Sequence, residues 1–357
     1  MTWQKVPLGL FATLSKLPAK SWSSEENMKI LFIGGTGTIS LSCTHAALER
    51  GYEVFHLNRG SRPDLVPTGV KTLIADIRNR DETREALKGL YFNCVVNWVA
   101  FTPDHIRQDI EILGPITDHY IFISSASVYQ KPPAHWIITE STPVGNPFWQ
   151  YARDKIYCER ALLAAFAGQG FPCTIVRPSH TYSDGWVPTP FGSRDYTVAN
   201  RMLQNEEVIS PGDGQSLWTL THSDDFARGF IEIPGNRLTL GEIYHITSDE
   251  TMTWDSIYHT IGSILCVEPK LVHIPSDFIN KLSPSIGAGL LGDKAYSTKF
   301  DNTKIKSLAP NFEAIIPFHE GIKRSLNWLE EHPEAKIIDE EKNREINKIL
   351  ETWAERE

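Results

Sequence analysis

An apolar run, Lys29–Ile33, passes without a break into Gly34-Gly35-Thr36-Gly37-Thr38-Ile39-Ser40, and helical periodicity follows at once. No other feature of the chain constrains its fold as strongly. A strand feeding a glycine-rich turn and then a helix opens a βαβ unit. The glycines permit a tight turn and let backbone N–H groups approach a pyrophosphate, while the helix N-terminus adds a partial positive charge. Gly34, Gly35, Thr36, Gly37, Thr38 and Ile39 are therefore assigned to a dinucleotide. Ser40 stands where a third glycine would be, and a serine is small enough to keep helix and strand close.

The same rhythm continues downstream. Strands are expected over Glu53–Leu57, Thr72–Ile74, Cys94–Val99, Tyr120–Ser124 and Cys173–Val176, and helices over Leu41–Glu49, Glu82–Leu87, His105–Ile112 and Tyr151–Phe166. Strands alternating with helices predict a parallel sheet. Ile30–Ile33 and Tyr120–Ile123 are nearly continuously apolar, as burial on both faces of a sheet requires. After Val176 the rhythm breaks, and Pro, Gly and Trp become frequent between Pro178 and Trp218. That stretch reads as a lobe laid over a site. A helix at Asp224–Ile231 and a strand at Ile243–Ile246 return to the core, and helices are expected again at Thr253–Ile264 and Gly321–Leu329. The predicted class is α/β: a Rossmann-type, doubly wound parallel sheet with a smaller C-terminal substrate lobe.

The expected organisation is an N-terminal extension (1–27), a dinucleotide-binding core (28–180, with 222–250 returning to it), a substrate lobe (181–221 and 251–330) and a charged helical tail (331–357). Residues 1–27 carry Lys5, Lys16 and Lys20 before the first acid, Glu25; a surface arm is expected, with a targeting peptide as the alternative. In the tail, Ile346, Ile349, Leu350 and Trp353 fall at helical spacing, which predicts an amphipathic helix docked on something, most simply a second copy in a homodimer.

Charge narrows the partners. Forty-four acids against 35 Lys and Arg give a net charge of −9, with no basic run of the kind that sequence-independent nucleic-acid binding needs. No apolar stretch approaches the roughly 18 residues of a membrane span. The five cysteines are scattered, without a CxxC pair, which predicts reduced thiols and a cytoplasmic setting. No His, Cys or Asp spacing suggests a metal site.

A carboxylate usually ends the second strand when NAD is preferred, because it accepts hydrogen bonds from the adenosine ribose. Here the strand ends Leu57-Asn58-Arg59-Gly60, with Arg62 close behind. A guanidinium suits a 2′-phosphate, so NADP is favoured over NAD. Asp76, with Ile77, closes the third strand within reach of an adenine edge, or is a plain loop carboxylate. Val99 and Ala100, after the fourth strand, belong to the same wall.

Tyr151 and Lys155 stand four apart at the start of a long helix and so share one face. A phenol that exchanges protons near neutral pH needs a neighbouring cation, and an ammonium provides one. Upstream, Ser124-Ser125-Ala126-Ser127 ends the fifth strand, at the sheet edge where ligands gather.

Gly34-Gly35-Thr36-Gly37, Ser125 four residues before Tyr129, Tyr151-x-x-x-Lys155, Arg177-Pro178-Ser179 and Thr221-His222-Ser223-Asp224-Asp225, in this order, resemble the extended and atypical short-chain dehydrogenase/reductases, the NAD-dependent epimerase/dehydratase group. The resemblance runs from about Met28 to Leu329. It implies Tyr151 as acid/base, Lys155 as its pKa tuner and ribose ligand, Ser125 as the orienting hydroxyl, and Pro178 and His180 beside the nicotinamide. It implies hydride transfer at a secondary alcohol or ketone carbon of a sugar-like substrate, by an epimerase, dehydrogenase or reductase. The alternative is a non-catalytic NAD(P)-binding sensor, scaffold or RNA-associated protein. Sugar 4,6-dehydratases resemble this site but carry an Asp-Glu pair where Ala126-Ser127 stand here. Epimerases acting on UDP-sugars carry an arginine four residues before the position of His222, where this chain has Trp218. Ser127, Arg201 and Trp218 are taken as substrate contacts, with Arg194 as a further substitute for the missing arginine. His222 reads as structural.

Overall fold

The computed structural model describes residues 28–191 and 194–356. The expected N-terminal extension, 1–27, lies outside the described residues. Seven strands form the central sheet: β1 (Lys29–Ile33), β2 (Glu53–Asn58), β3 (Lys71–Ile74), β4 (Cys94–Asn97), β5 (Tyr120–Ile123), β6 (Cys173–Pro178) and β7 (Ile243–Ile246). Their spatial order is β3-β2-β1-β4-β5-β6-β7 and every pairing is parallel. The order reverses at β1, where Ile33 pairs with Leu57 on one side and Asn97 on the other. A doubly wound sheet opens its ligand crevice at that reversal, outside the carboxyl ends of the strands.

Strand alternation explains the continuous apolar runs. The helices between the first strands are α1 (Thr38–Glu49), α2 (Arg80–Ala86), α3 (Pro103–Leu113) and the long α4 (Gln150–Gln169). Leu31, Ile33, Val95, Tyr120 and Phe122 point to one face and pack with Ile106 of α3 and with Cys158 and Leu162 of α4. Ile30, Phe32, Val96, Ile121 and Ile123 point to the other and pack with Cys43 and Ala47 of the helix Thr38–Glu49 and with Phe226 and Phe230 of the helix Ser223–Phe230. Both faces are buried, so neither tolerates polar alternation.

The lobe has its own cores. Tyr182, Trp218, Trp254, Tyr258 and Phe318 form one cluster, and Ile209, Ile274, Ile279 and Leu290 a second. The tail is helical over Glu340–Ala354, with Asp339 accepting from the backbone N–H of Lys342 at 3.0 Å as its N-cap. Ile346, Ile349 and Leu350 are buried in that second cluster. The apolar stripe expected to receive a partner is thus covered by the chain's own lobe.

Candidate active site

The turn after β1 is built for close approach. Gly34 has φ +85°, a conformation suited to glycine, and a Cβ there would come within 2.6 Å of Val99. Gly35 is filled from behind: a Cβ would fall 2.3 Å from the buried His56 ring. Ser40 does more than fit. Its hydroxyl donates to the Gly34 carbonyl and accepts from the Gly37 N–H, both at 2.8 Å, so it ties the turn to the helix that follows.

Two cavities meet at this turn. One, about 730 Å³, lies between the ends of β2 and β3 and is lined by Thr36, Asn58, Arg59, Asp76 and Ile77 among others. The second, about 410 Å³, lies on the α4 side and is lined by Thr38, Ile39, Ser125, Ser127, Tyr151 and Lys155, with Pro178 and His180. Gly34, Gly37, Val99 and Phe101 border both. The joined cleft crosses the carboxyl edge of the sheet at the reversal, with the glycine turn at its middle. That shape suits a dinucleotide, and the glycine cradle that a Cβ would fill is where a pyrophosphate would sit. On the larger side the Asn58 Nδ2 is buried without a partner.

Tyr151 enters the smaller cavity from the first turn of α4, its ring flanked by Trp149 (4.9 Å between centroids) and Phe101 (6.5 Å). Burial pushes its phenol up to about 12, with the Ser125 hydroxyl pulling the other way. Ser125 in turn lies 2.9 Å from the Ser127 hydroxyl. Lys155, one turn along the helix, is 1% exposed. Its Nζ donates to the carbonyls of Ala100 and Ile123, each at 2.7 Å, and sits 5.8 Å from the centre of the Tyr151 ring. Burial pulls its ammonium down to about 7.

At the far end of this cavity the wall is aromatic. Trp218 stacks on Trp254 (5.6 Å, 26°), and His180 lies 5.7 Å from Trp186. Burial, and to a lesser degree the Lys294 charge, pushes His180 down to about 3, so its imidazole is neutral at physiological pH. Asp293 and Lys294 close the end.

Residues 113–246 match the family model described as the NAD dependent epimerase/dehydratase family. Over that segment, a little over a third of the chain, the sequence is similar to the family. A 2′-dehydrokanamycin reductase of Streptomyces kanamyceticus is 21% identical over 290 residues, 81% of each chain. A chloroplast stem-loop binding protein of 41 kDa from Arabidopsis thaliana is 24% identical over 271 residues, 72% of this chain and 68% of that one. The crystal structure of a UDP-glucuronic acid 4-epimerase from Bacillus cereus, bound to UDP-glucuronic acid and NAD, superposes with a TM-score of 0.69 at 18% identity, over 85% of this chain and all of that one.

Several residues assigned from sequence stand elsewhere in the structure. Arg201 is not at the cleft. Its guanidinium donates to the Glu207 carbonyl (2.8 Å), Asn343 (2.5 Å) and Asn347 (2.8 Å), and so fastens the C-terminal helix to the lobe. Ala100 is fully buried and offers the cleft nothing beyond the carbonyl that Lys155 uses. Gly35 packs on His56 and lines neither cavity. Arg194 feels the charge of Arg62. His222, read from sequence as structural, is 2% exposed and accepts from the backbone N–H of Asp224 at 3.3 Å, capping the helix that follows. Sequence reasoning missed Phe101, Trp149, Trp186, Asp293 and Lys294, all lining the smaller cavity, and Arg78 in the larger one. Trp149, two residues before Tyr151, could have been found from its position; Asp293 and Lys294 carry no local signal.

Among the described residues no group of His, Cys, Asp or Glu could hold a metal ion, and no helix is long and apolar enough to cross a membrane.

Proposed function

We propose that this protein is an NAD(P)-dependent oxidoreductase that reduces a ketone carbon, or oxidises the matching secondary alcohol, on a sugar-like small molecule. The observation carrying this reading is that Ser125, Tyr151 and Lys155 line one cavity that opens, across the glycine turn, into a second one sized for the other half of a dinucleotide. When bound, the cofactor supplies or accepts the hydride. Tyr151 exchanges the proton of the substrate oxygen, Ser125 orients that oxygen, and Lys155 holds ribose hydroxyls. A phenol raised to about 12 is protonated at neutral pH and so begins as a proton donor, which favours the reducing direction. The reductase likeness agrees with that direction. The intact trio supports catalysis over a sensor, scaffold or RNA-associated role, and five free cysteines fit a cytoplasmic setting. Loss of reduced-nicotinamide absorbance with a panel of keto-sugars tests the reading. Cofactor that stays bound while substrate interconverts with no net absorbance change would make the protein an epimerase instead.

The cofactor end favours NADP. Arg59, Arg62 and Arg78 border the larger cavity, and β2 ends without a carboxylate. Asp76 accepts from the backbone N–H of Arg78 at 2.9 Å, inside its own turn. Charge-assisted hydrogen bonds of this kind contribute about 1.5–3 kcal/mol when sheltered, and less at an exposed position such as Arg59. Arg59→Ala should weaken NADP binding about tenfold and NAD binding by less than about threefold, measured by quenching of tryptophan fluorescence. Equal losses for the two cofactors would remove the 2′-phosphate assignment.

A further inference from the structure

One charge at the substrate end of the smaller cavity has no part in hydride transfer. Lys294 is 8% exposed and lines the cavity, and its ammonium donates to no hydrogen-bond acceptor among the described residues. It lies 5.6 Å from the centre of the Trp149 ring. The adjacent Asp293 favours that charge but is shared with the buried Lys131, whose ammonium lies 3.5 Å from the same carboxylate. Two lysines share one carboxylate, which leaves one net positive charge in a wall made largely of Trp149, Trp186, Trp218 and neutral His180.

A buried ammonium without a counter-charge is costly. Burial pulls Lys294 below the ordinary lysine range, and Lys131 adds to the pull while Asp293 opposes it. The backbone nevertheless holds the residue in place. Leu290–Lys294 forms a π-helical turn, a rare geometry frequent at functional sites. Trp254 Nε1 donates to the Lys294 carbonyl at 3.0 Å, and Asn146 Nδ2 to the Gly292 carbonyl at 2.6 Å. Gly292 lies so near Trp149 that a Cβ would come 2.7 Å from the tryptophan's own. At this same end, Trp186 Nε1, Trp218 Nε1 and His180 Nδ1 are buried with no partner among the described residues. Unpaired polar groups gathered around an unpaired cation point to a ligand that satisfies them together.

Resting on the oxidoreductase reading above, we propose that the substrate carries a single acidic group, a carboxylate or a phosphate monoester, and that Lys294 is its anchor. One lysine matches one acidic group and not a diphosphate bridge: among the described residues no arginine lines this cavity, and Arg201 is committed to the C-terminal helix. The same 410 Å³ must also take the nicotinamide ribosyl half, which leaves space for one sugar-sized ring.

The test uses the full chain loaded with NADP or NAD, titrated with D-glucuronate, D-glucose 6-phosphate and D-glucose while tryptophan fluorescence is followed. At least one of the two acids should bind about tenfold or more tightly than glucose, about 1.4 kcal/mol, and which one it is separates carboxylate from phosphate. Lys294→Met should abolish the preference and leave cofactor binding intact. Methionine fills a similar volume and removes a buried charge, so the melting temperature should not fall. A chain that binds neither cofactor would sink the oxidoreductase reading itself. Bound cofactor with no preference for either acid over glucose, or a preference that survives Lys294→Met, would overturn the anchor alone.

Discussion

Tyr151→Phe should lower turnover by about 10²–10⁴-fold, the contribution of a positioned proton donor, while NADP affinity changes by less than about threefold. The substitution removes one oxygen and keeps the ring. The ring's tilted contacts with Trp149 and Phe101 therefore survive, and so does the aromatic wall of the cavity. Lys155 also stays put, because two carbonyls and not the phenol hold its ammonium. What disappears is the only phenol bordering the smaller cavity among its described lining residues. The pH profile of the parent enzyme carries a matching sign. With the phenol raised to about 12 in the free protein, the donor form persists through neutral pH, and reduction should fade only as alkaline conditions ionise it. A variant that keeps more than about a tenth of the parent rate, with cofactor bound, would show that the proton comes from elsewhere.

Lys155 shows how much of this site could be read along the chain. Its register with Tyr151 is a property of one helix, and the glycine turn is a property of seven consecutive residues. Both were legible because the sequence spacing is itself the geometry. The inner strands were legible for a related reason: burial on two faces leaves an uninterrupted apolar signal. The edge strand β3 is mostly exposed and lacks that signal, yet all seven lie within a few residues of their expected bounds. The fourth strand stops at Asn97, short of Val99, where the Asn97 side-chain Oδ1 accepts from the Val99 N–H at 2.8 Å as the chain turns.

Arg201 marks where such reading fails. Its partners Asn343 and Asn347 lie more than 140 positions away, and nothing near Arg201 announces them. Ser40 was correctly taken as small, yet its bond to the Gly34 carbonyl could not be inferred from size alone. Lys294 is the extreme case. It reaches the cleft only because a π-helical turn, a glycine and two side-chain hydrogen bonds bring a distant segment against Trp149.

The largest stability effect is expected one layer beneath the site. Glu159 lies on α4 one turn beyond Lys155, and Arg177 lies on β6. Arg177 Nη2 donates to Glu159 Oε2 at 2.6 Å and its Nε to Oε1 at 2.9 Å, a two-pronged pair with both side chains at most 4% exposed. Ser124, beside Ser125, donates to the same carboxylate at 2.6 Å. Burial works against the Arg177 charge, but the Glu159 carboxylate overrides it and holds the guanidinium above its ordinary range. Arg177→Met should cost about 3–5 kcal/mol in urea denaturation, because it strands a carboxylate in the interior. Glu159→Gln in the same background should restore much of that loss, since an amide has no charge to bury, whereas two independent contacts would add their penalties. The pair ties α4, which carries Tyr151 and Lys155, to the strand edge that leads to Pro178 and His180. A folded Arg177→Met protein should therefore lose kcat more than cofactor affinity. Additive losses in the double variant would show that the two residues are held by their surroundings and not by each other.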